Sequence, residues 1–127
     1  MKNTPIYLIF LFLLSSCSMS INSTKRGKLD IPKEETYTVI YSAKLSDGLV
    51  AKISYTNENS VQEEFKDVTR NWEKTVELKS GANVKLNTLA KGEKGIGEYK
   101  VTVNGKIVSE HILTNKRLRY SVDFDLP

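Results

Sequence analysis

The sequence predicts an all-β domain behind an exported leader, and three observations predict it. From Tyr37 onward, apolar and polar residues alternate in short runs rich in β-branched and aromatic side chains, the period of a strand with one face buried. Turn signals separate the runs at Ser46-Asp47-Gly48, Asn57-Glu58-Asn59-Ser60 and Asn104-Gly105. The last of these is the strongest two-residue hairpin signal, because both central residues of its turn need positive φ.

The chain opens with one positive charge, Lys2, followed by nine apolar residues from Ile6 to Leu14. A secretory leader needs about 7–15 such residues and a spanning helix about 20. Leu14-Ser15-Ser16-Cys17 follows. A branched apolar residue, two small residues and a cysteine form the bacterial lipobox. Residues 1–16 are therefore expected to be a cleaved signal peptide. Resemblance to known lipoproteins implies a diacylglycerol on the Cys17 thiol and an N-acyl chain on its freed amine. No other cofactor is expected. Cys17 is the only cysteine, so no internal disulfide is available. Two or three acyl chains anchor stably where one does so marginally.

Residues 17–36 read as the lipidated cysteine and a flexible tether, because they are polar, contain Gly27 and Pro32, and sustain no period. Lys25, Arg26 and Lys28 suit an anionic membrane at about 1 kcal/mol each, and equally suit a solvated linker. With Lys2 removed, 18 Lys and Arg face 15 Asp and Glu. That mild excess does not call for nucleic acid. Residues 37–127 have the size of one domain.

Within that domain, Tyr37 to Tyr41 forms the first alternating run, and Ala51, Ile53 and Tyr55 alternate in the next. Tyr99, Val101 and Val103 lead into the Asn104-Gly105 hairpin, and Ile107-Val108 returns. Leu118, Tyr120, Val122 and Phe124 alternate with polar residues in the last and cleanest run. These side chains are expected to face inward with Trp72 among them. The middle is ambiguous. Val61, Phe65, Val68, Trp72 and Val76 have helical spacing, but Val61-Glu63-Phe65 and Trp72-Lys74-Val76-Leu78 also alternate as strands.

Three segments carry a resemblance: Ala51-Lys52-Ile53-Ser54-Tyr55-Thr56, Trp72-Glu73-Lys74-Thr75-Val76, and Tyr99 through Val108. In order and spacing they resemble the small mycobacterial membrane protein family, MmpS, which accompanies RND-type lipid transporters. The resemblance covers about residues 37–124. It implies an immunoglobulin-like antiparallel β-sandwich of about seven strands, and so strands across 61–78. Two departures weaken transfer of function. A lipobox stands where the family usually has a spanning helix, and the domain lacks the cysteine pair that the family often carries.

No catalytic constellation emerges. His111 is the only histidine, lies in an expected strand and has no nucleophile motif nearby. Glu63, Glu64 and Asp67 lack a calcium-loop pattern. Gly92-Glu93-Lys94-Gly95-Ile96-Gly97 lacks a P-loop ending and reads as a flexible loop between strands. Lys116, Arg117 and Arg119 form a candidate interaction surface for an acidic partner or lipid headgroup, against the plainer reading of charge guarding a sheet edge.

The sequence thus points to a lipid-anchored, non-enzymatic binding or accessory module of the bacterial envelope, beside an RND-type transporter. The alternatives are a structural or adhesive surface lipoprotein and, with least support, a carboxylate-based hydrolase. Expected partners are membrane lipid through the anchor and an envelope or transporter protein, not nucleic acid. Ser18 stands where an Asp would resemble an inner-membrane retention signal, which favours the outer membrane if the cell has two.

Overall fold

The computed structural model describes residues 29–127. It is all-β and antiparallel, as the alternation predicts. There are six strands rather than about seven: β1 (Thr36–Leu45), β2 (Leu49–Thr56), β3 (Gln62–Val68), β4 (Asn71–Lys79), β5 (Asn83–Val103) and β6 (Lys106–Asp125). The ambiguous middle is strand. Its helical spacing arises from a bulge opposite Ala51 and Ile53, which lets Phe65 and Val68 take consecutive inward positions three residues apart. A break at Thr69-Arg70 then spaces Val68 from Trp72 by four.

Pairing makes the strands act as four long tracks. The first part of β5 pairs with β2, from Leu86↔Tyr55 to Gly92↔Leu49. The last part pairs with β1, from Gly97↔Leu45 to Val103↔Val39. β1 and β2 therefore do not form a hairpin with each other; Ser46-Asp47-Gly48 offsets them so that they run in line along one side of β5. In the same way β3 pairs with β2 and β4 with β1. β6 flanks β5 along both parts. Asn104 and Gly105 join these two strands with φ of 49° and 83°, the turn that Asn-Gly favours.

All four tracks bend at one level, at residues 46–48, 69–70, 92–94 and 115–116. The bend folds the sheet onto itself. One layer holds β2, β3, the first part of β5 and the last part of β6. The other holds β1, β4, the last part of β5 and the first part of β6. Tyr37, Val39, Tyr41, Ile53, Leu86, Val101, Val103, Leu118, Tyr120, Val122 and Phe124 are among the side chains buried between them. The Tyr99 and Tyr120 rings stack across the layers at 4.9 Å, and the Tyr41 and Tyr55 rings meet edge-on at 5.3 Å. The Tyr41 hydroxyl donates to the Thr56 carbonyl at 2.8 Å.

Trp72 departs from expectation. It is half-buried and does not sit among the central side chains. Its ring lies 5.5 Å from Tyr55 and 6.2 Å from Phe65, at the open side between β3 and β4. These are edge strands, so a side chain there lacks a neighbour on one flank.

The segment from Gly92 to Gly97 also departs, for it lies inside β5 and is not a loop. Its glycines permit close approach rather than freedom. A Cβ on Gly92 would stand 1.9 Å from the Gly48 carbonyl oxygen, and one on Gly97 would stand 2.7 Å from the Tyr99 hydroxyl. Backbone bonds then cross the bend: Ser46 N–H donates to Ile96 O at 2.9 Å and Leu45 N–H donates to Arg70 O at 2.8 Å.

The opposite end is sealed by the chain entering the domain. Leu29 and Ile31 pack against the core ahead of β1. The Tyr37 hydroxyl accepts from Glu34 N–H at 2.8 Å and donates to an oxygen of Pro127 at 3.2 Å.

Gly92→Ala should lower the urea midpoint of the purified protein sharply, by the equivalent of about 3 kcal/mol, since overpacking and backbone strain each cost about 1–3 kcal/mol. Gly81→Ala is the comparison. Its φ is 85° but nothing lies within 4 Å of the added Cβ, so it should cost only about 1 kcal/mol. Equal midpoints for the two variants would contradict this account of the bend.

Candidate functional site

Cys17 and the lipobox residues Leu14, Ser15 and Ser16 lie outside the described residues. Among the described residues, no helix is long and apolar enough to cross a membrane.

Catalysis finds little support in the geometry. His111 is exposed on β6, with its ring 5.9 Å from Tyr120. The Ser109 hydroxyl, two residues away, is hydrogen-bonded to the Tyr120 hydroxyl. The hollow beside His111, bordered by Glu98, Lys100 and Glu110, holds about 50 Å³, too little for more than a few waters. The acids of β3 do not converge: Glu63 accepts from the Asn57 amide at 3.1 Å, while Glu64 points to the outer face. Among the described residues, no three His, Cys, Asp or Glu side chains gather as a metal site would require.

The buried tyrosines are held as neutral phenols. Burial pushes Tyr41, Tyr99 and Tyr120 above their ordinary value near 10. Burial does the same for Tyr55, reinforced by the charges of Glu63 and Glu58. The Tyr99 hydroxyl is buried without a hydrogen-bond partner in bonding geometry, and the nearby Thr88 hydroxyl donates instead to Tyr120 O at 3.3 Å. None of these phenols can serve as a base or nucleophile near neutral pH.

The feature that stands out is the outer face of the β2–β3 layer, at the end nearest the bend. Strand parity puts Lys52 on β2, Leu89 and Lys91 on β5, and Arg117 and Arg119 on β6 on that one face, with Lys66 on β3 beside them. The register sets Lys52 opposite Leu89, Leu89 opposite Arg119, and Lys91 opposite Arg117. Two adjoining hollows of about 290 Å³ each share Lys52 and Leu89. Val50 and Lys66 border one; Ser54, Asn87, Arg119 and Ser121 border the other. Leu89 is half-buried and gives an apolar floor.

Of the three cations singled out in the sequence, Arg117 and Arg119 meet on this face. Lys116 does not join them. It occupies the bend in β6, exposed, with its N–H bonded to the Asn115 side chain at 2.8 Å. Lys52, Lys66 and Lys91 went unnoticed in the sequence because they reach the face from three other strands. A period-two reading of β2 and β5 assigns Lys52 and Lys91 outward positions, but only the register brings them together.

A family model described as Mycobacterium membrane protein matches residues 12–122. The match starts within the apolar N-terminal run and extends through most of β6. No curated protein matches the chain.

Alkali should unfold this domain in a characteristic way. Tyrosines ionise at their ordinary value in the unfolded chain and higher in the folded one. The folded state therefore holds more protons above about pH 10, and stability falls as pH rises through that range. Phenolate absorbance should appear late and together with loss of the β-sheet circular dichroism signal. If Tyr41, Tyr55, Tyr99 and Tyr120 titrated normally with the sheet intact, the burial argument would fail.

Proposed function

Because the chain belongs to the Mycobacterium membrane protein family, we propose that it is a lipid-anchored, non-catalytic accessory module of the cell envelope. The observation that carries the proposal is the family match spanning leader and domain, combined with the lipobox order Leu14-Ser15-Ser16-Cys17. Members of the family are named as membrane proteins. In this chain the apolar leader is short and ends at a cysteine, which supports attachment by acyl chains rather than by a retained helix.

The proposed arrangement is a domain held near the membrane by residues 17–28 and acting by contact, with an RND-type transporter as its partner. The dispersed acids and the neutral tyrosines favour binding over hydrolysis. The outer membrane is the proposed site in a cell with two membranes, given Ser18. A structural or adhesive role at the cell surface has no separate observation in its favour.

Replacing Cys17 by serine should abolish labelling by a clickable palmitate analogue and leave unprocessed precursor. Labelling that persisted would remove Cys17 as the attachment site. Cross-linking in solubilised membranes should recover a transporter subunit with the wild-type protein. Repeated recovery of no envelope protein would end the accessory reading.

A further inference from the structure

We propose that the basic outer face of the β2–β3 layer docks on the anionic phosphate surface of the membrane that holds the chain, laying the domain on its side. The inference rests on the membrane-anchored reading and adds an orientation and a ligand chemistry to it.

Charge placement across the two outer faces carries the argument. On the face of the β1–β4 layer, register pairs opposite charges: Lys44 lies across from Glu98 and Lys100 across from Glu110. On the β2–β3 layer the end away from the bend does likewise, with Lys85 opposite Asp123. The end near the bend breaks the pattern. Lys91 is set directly opposite Arg117, a like-charge cross-strand pair of the kind that costs stability. Lys52 and Arg119 flank Leu89 one row further along, and Lys66 adds a fifth cation. Among the described residues, the one ion pair within 4 Å joins Arg70 and Asp47, so none of these five is neutralised that way. Asp67 lines one hollow and Glu64 the other, so two acids stand among five cations and the face keeps a positive excess.

The face also lacks the aromatic anchors that a specific protein partner would use. Protein interfaces take most of their energy from Trp, Tyr and Arg anchors seated in pockets. Here the aromatic side chains of β1 to β6 point inward, and the exposed apolar content of the patch is Val50 with the partly covered Leu89. What remains is several long cationic side chains over a shallow floor, across four strands or about 15 Å. That suits many phosphates at no fixed spacing, each cation near an anionic bilayer contributing modestly and additively.

The length of chain between Cys17 and Leu29 permits this pose. Residues 18–28 span from Cys17 to the point where Leu29 meets the core. A chain of that length can extend to about 35 Å at most. The entry point lies at the end opposite the bend, so tether and basic patch hold the domain at two separated points.

The test uses the full lipidated protein in vesicles of neutral phosphatidylcholine, or of the same lipid with about a third phosphatidylglycerol. Asn87→Cys on the basic face or Ser42→Cys on the opposite face carries an environment-sensitive fluorophore; acylation blocks Cys17. The Asn87 probe should shift on anionic vesicles, stay unshifted on neutral ones, and revert in high salt. The Ser42 probe should not respond. Lys91→Gln with Arg119→Gln should weaken the shift by about fivefold per charge removed. Sedimentation separates the two levels. Vesicle-bound protein with a silent Asn87 probe overturns the docking inference and leaves the anchor standing. Protein that stays in the supernatant overturns the anchor and the docking with it. An Asn87 probe silent on vesicles but cross-linked in cells to an acidic protein would assign the face to that partner and overturn the membrane pose.

Discussion

Two backbones meet at the bend, where the Gly92 segment of β5 runs against the turn at Gly48, and the rest of the structure depends on that approach. Only there can β1 and β2 change layer while both stay paired to the same side of β5. Any side chain at Gly92 would fill the space of the Gly48 carbonyl. The neighbouring sites are equally full: a Cβ on Gly95 would meet the Ser46 hydroxyl at 2.5 Å, and that same hydroxyl accepts from Ile96 N–H at 2.8 Å. The contact is backbone against backbone, so no repacking of rotamers can relieve it. Once it is made, each track changes layer at the same level, and the inward side chains of both layers face one another. Burial of Tyr37, Tyr41, Tyr99, Tyr120 and Phe124 between them then supplies the hydrophobic driving force.

The strands were legible in the sequence, and the bend was not. Alternation is a local signal, repeated in every strand, and it located Leu118, Tyr120, Val122 and Phe124 correctly on the inner face. Glycine is ambiguous in a way that alternation is not. The absence of a side chain suits a loose loop and a tight approach equally well, and the charges of Glu93 and Lys94 made the loop more natural. The helical spacing from Val61 to Val76 misled for a related reason. The bulge shifts parity by one between Phe65 and Val68, and the break adds a spacing of four, so two strands in succession imitate a period near 3.6. Trp72 was legible as an inward residue, but its position on an edge strand was not. Edge or centre is a property of pairing order, which local pattern does not contain.

The candidate site divides in the same way. Arg117 and Arg119 lie two apart on one strand, and spacing alone assigns them a common face. Lys116, next to Arg117, has the opposite parity and falls in the bend. Lys52, Lys66 and Lys91 belong to β2, β3 and β5, and nothing local connects them. Their juxtaposition is a consequence of the order β3, β2, β5, β6 in that layer. A face assembled from four strands becomes visible only when the register is known.

Lys91 opposite Arg117 is difficult to explain as protection of a sheet edge alone. Edge protection asks for charge on the edge strand, and Arg117 and Arg119 on β6 already provide it. Lys91 and Lys52 lie on interior strands, where a charge guards nothing and a like-charged neighbour costs stability. At three other places register sets opposite charges across from one another: Lys44 and Glu98, Lys100 and Glu110, and Lys85 and Asp123. At those places register sets opposite charges side by side, and here it sets like charges. A cost confined to one end of one face, with no gain inside the domain, is what a surface would carry if the missing negative charge came from outside it. The bend that lets the core close also brings β5 and β6 into the register that concentrates this charge. The two features adjoin in the chain, for Lys91 immediately precedes Gly92, whose approach to Gly48 makes the bend.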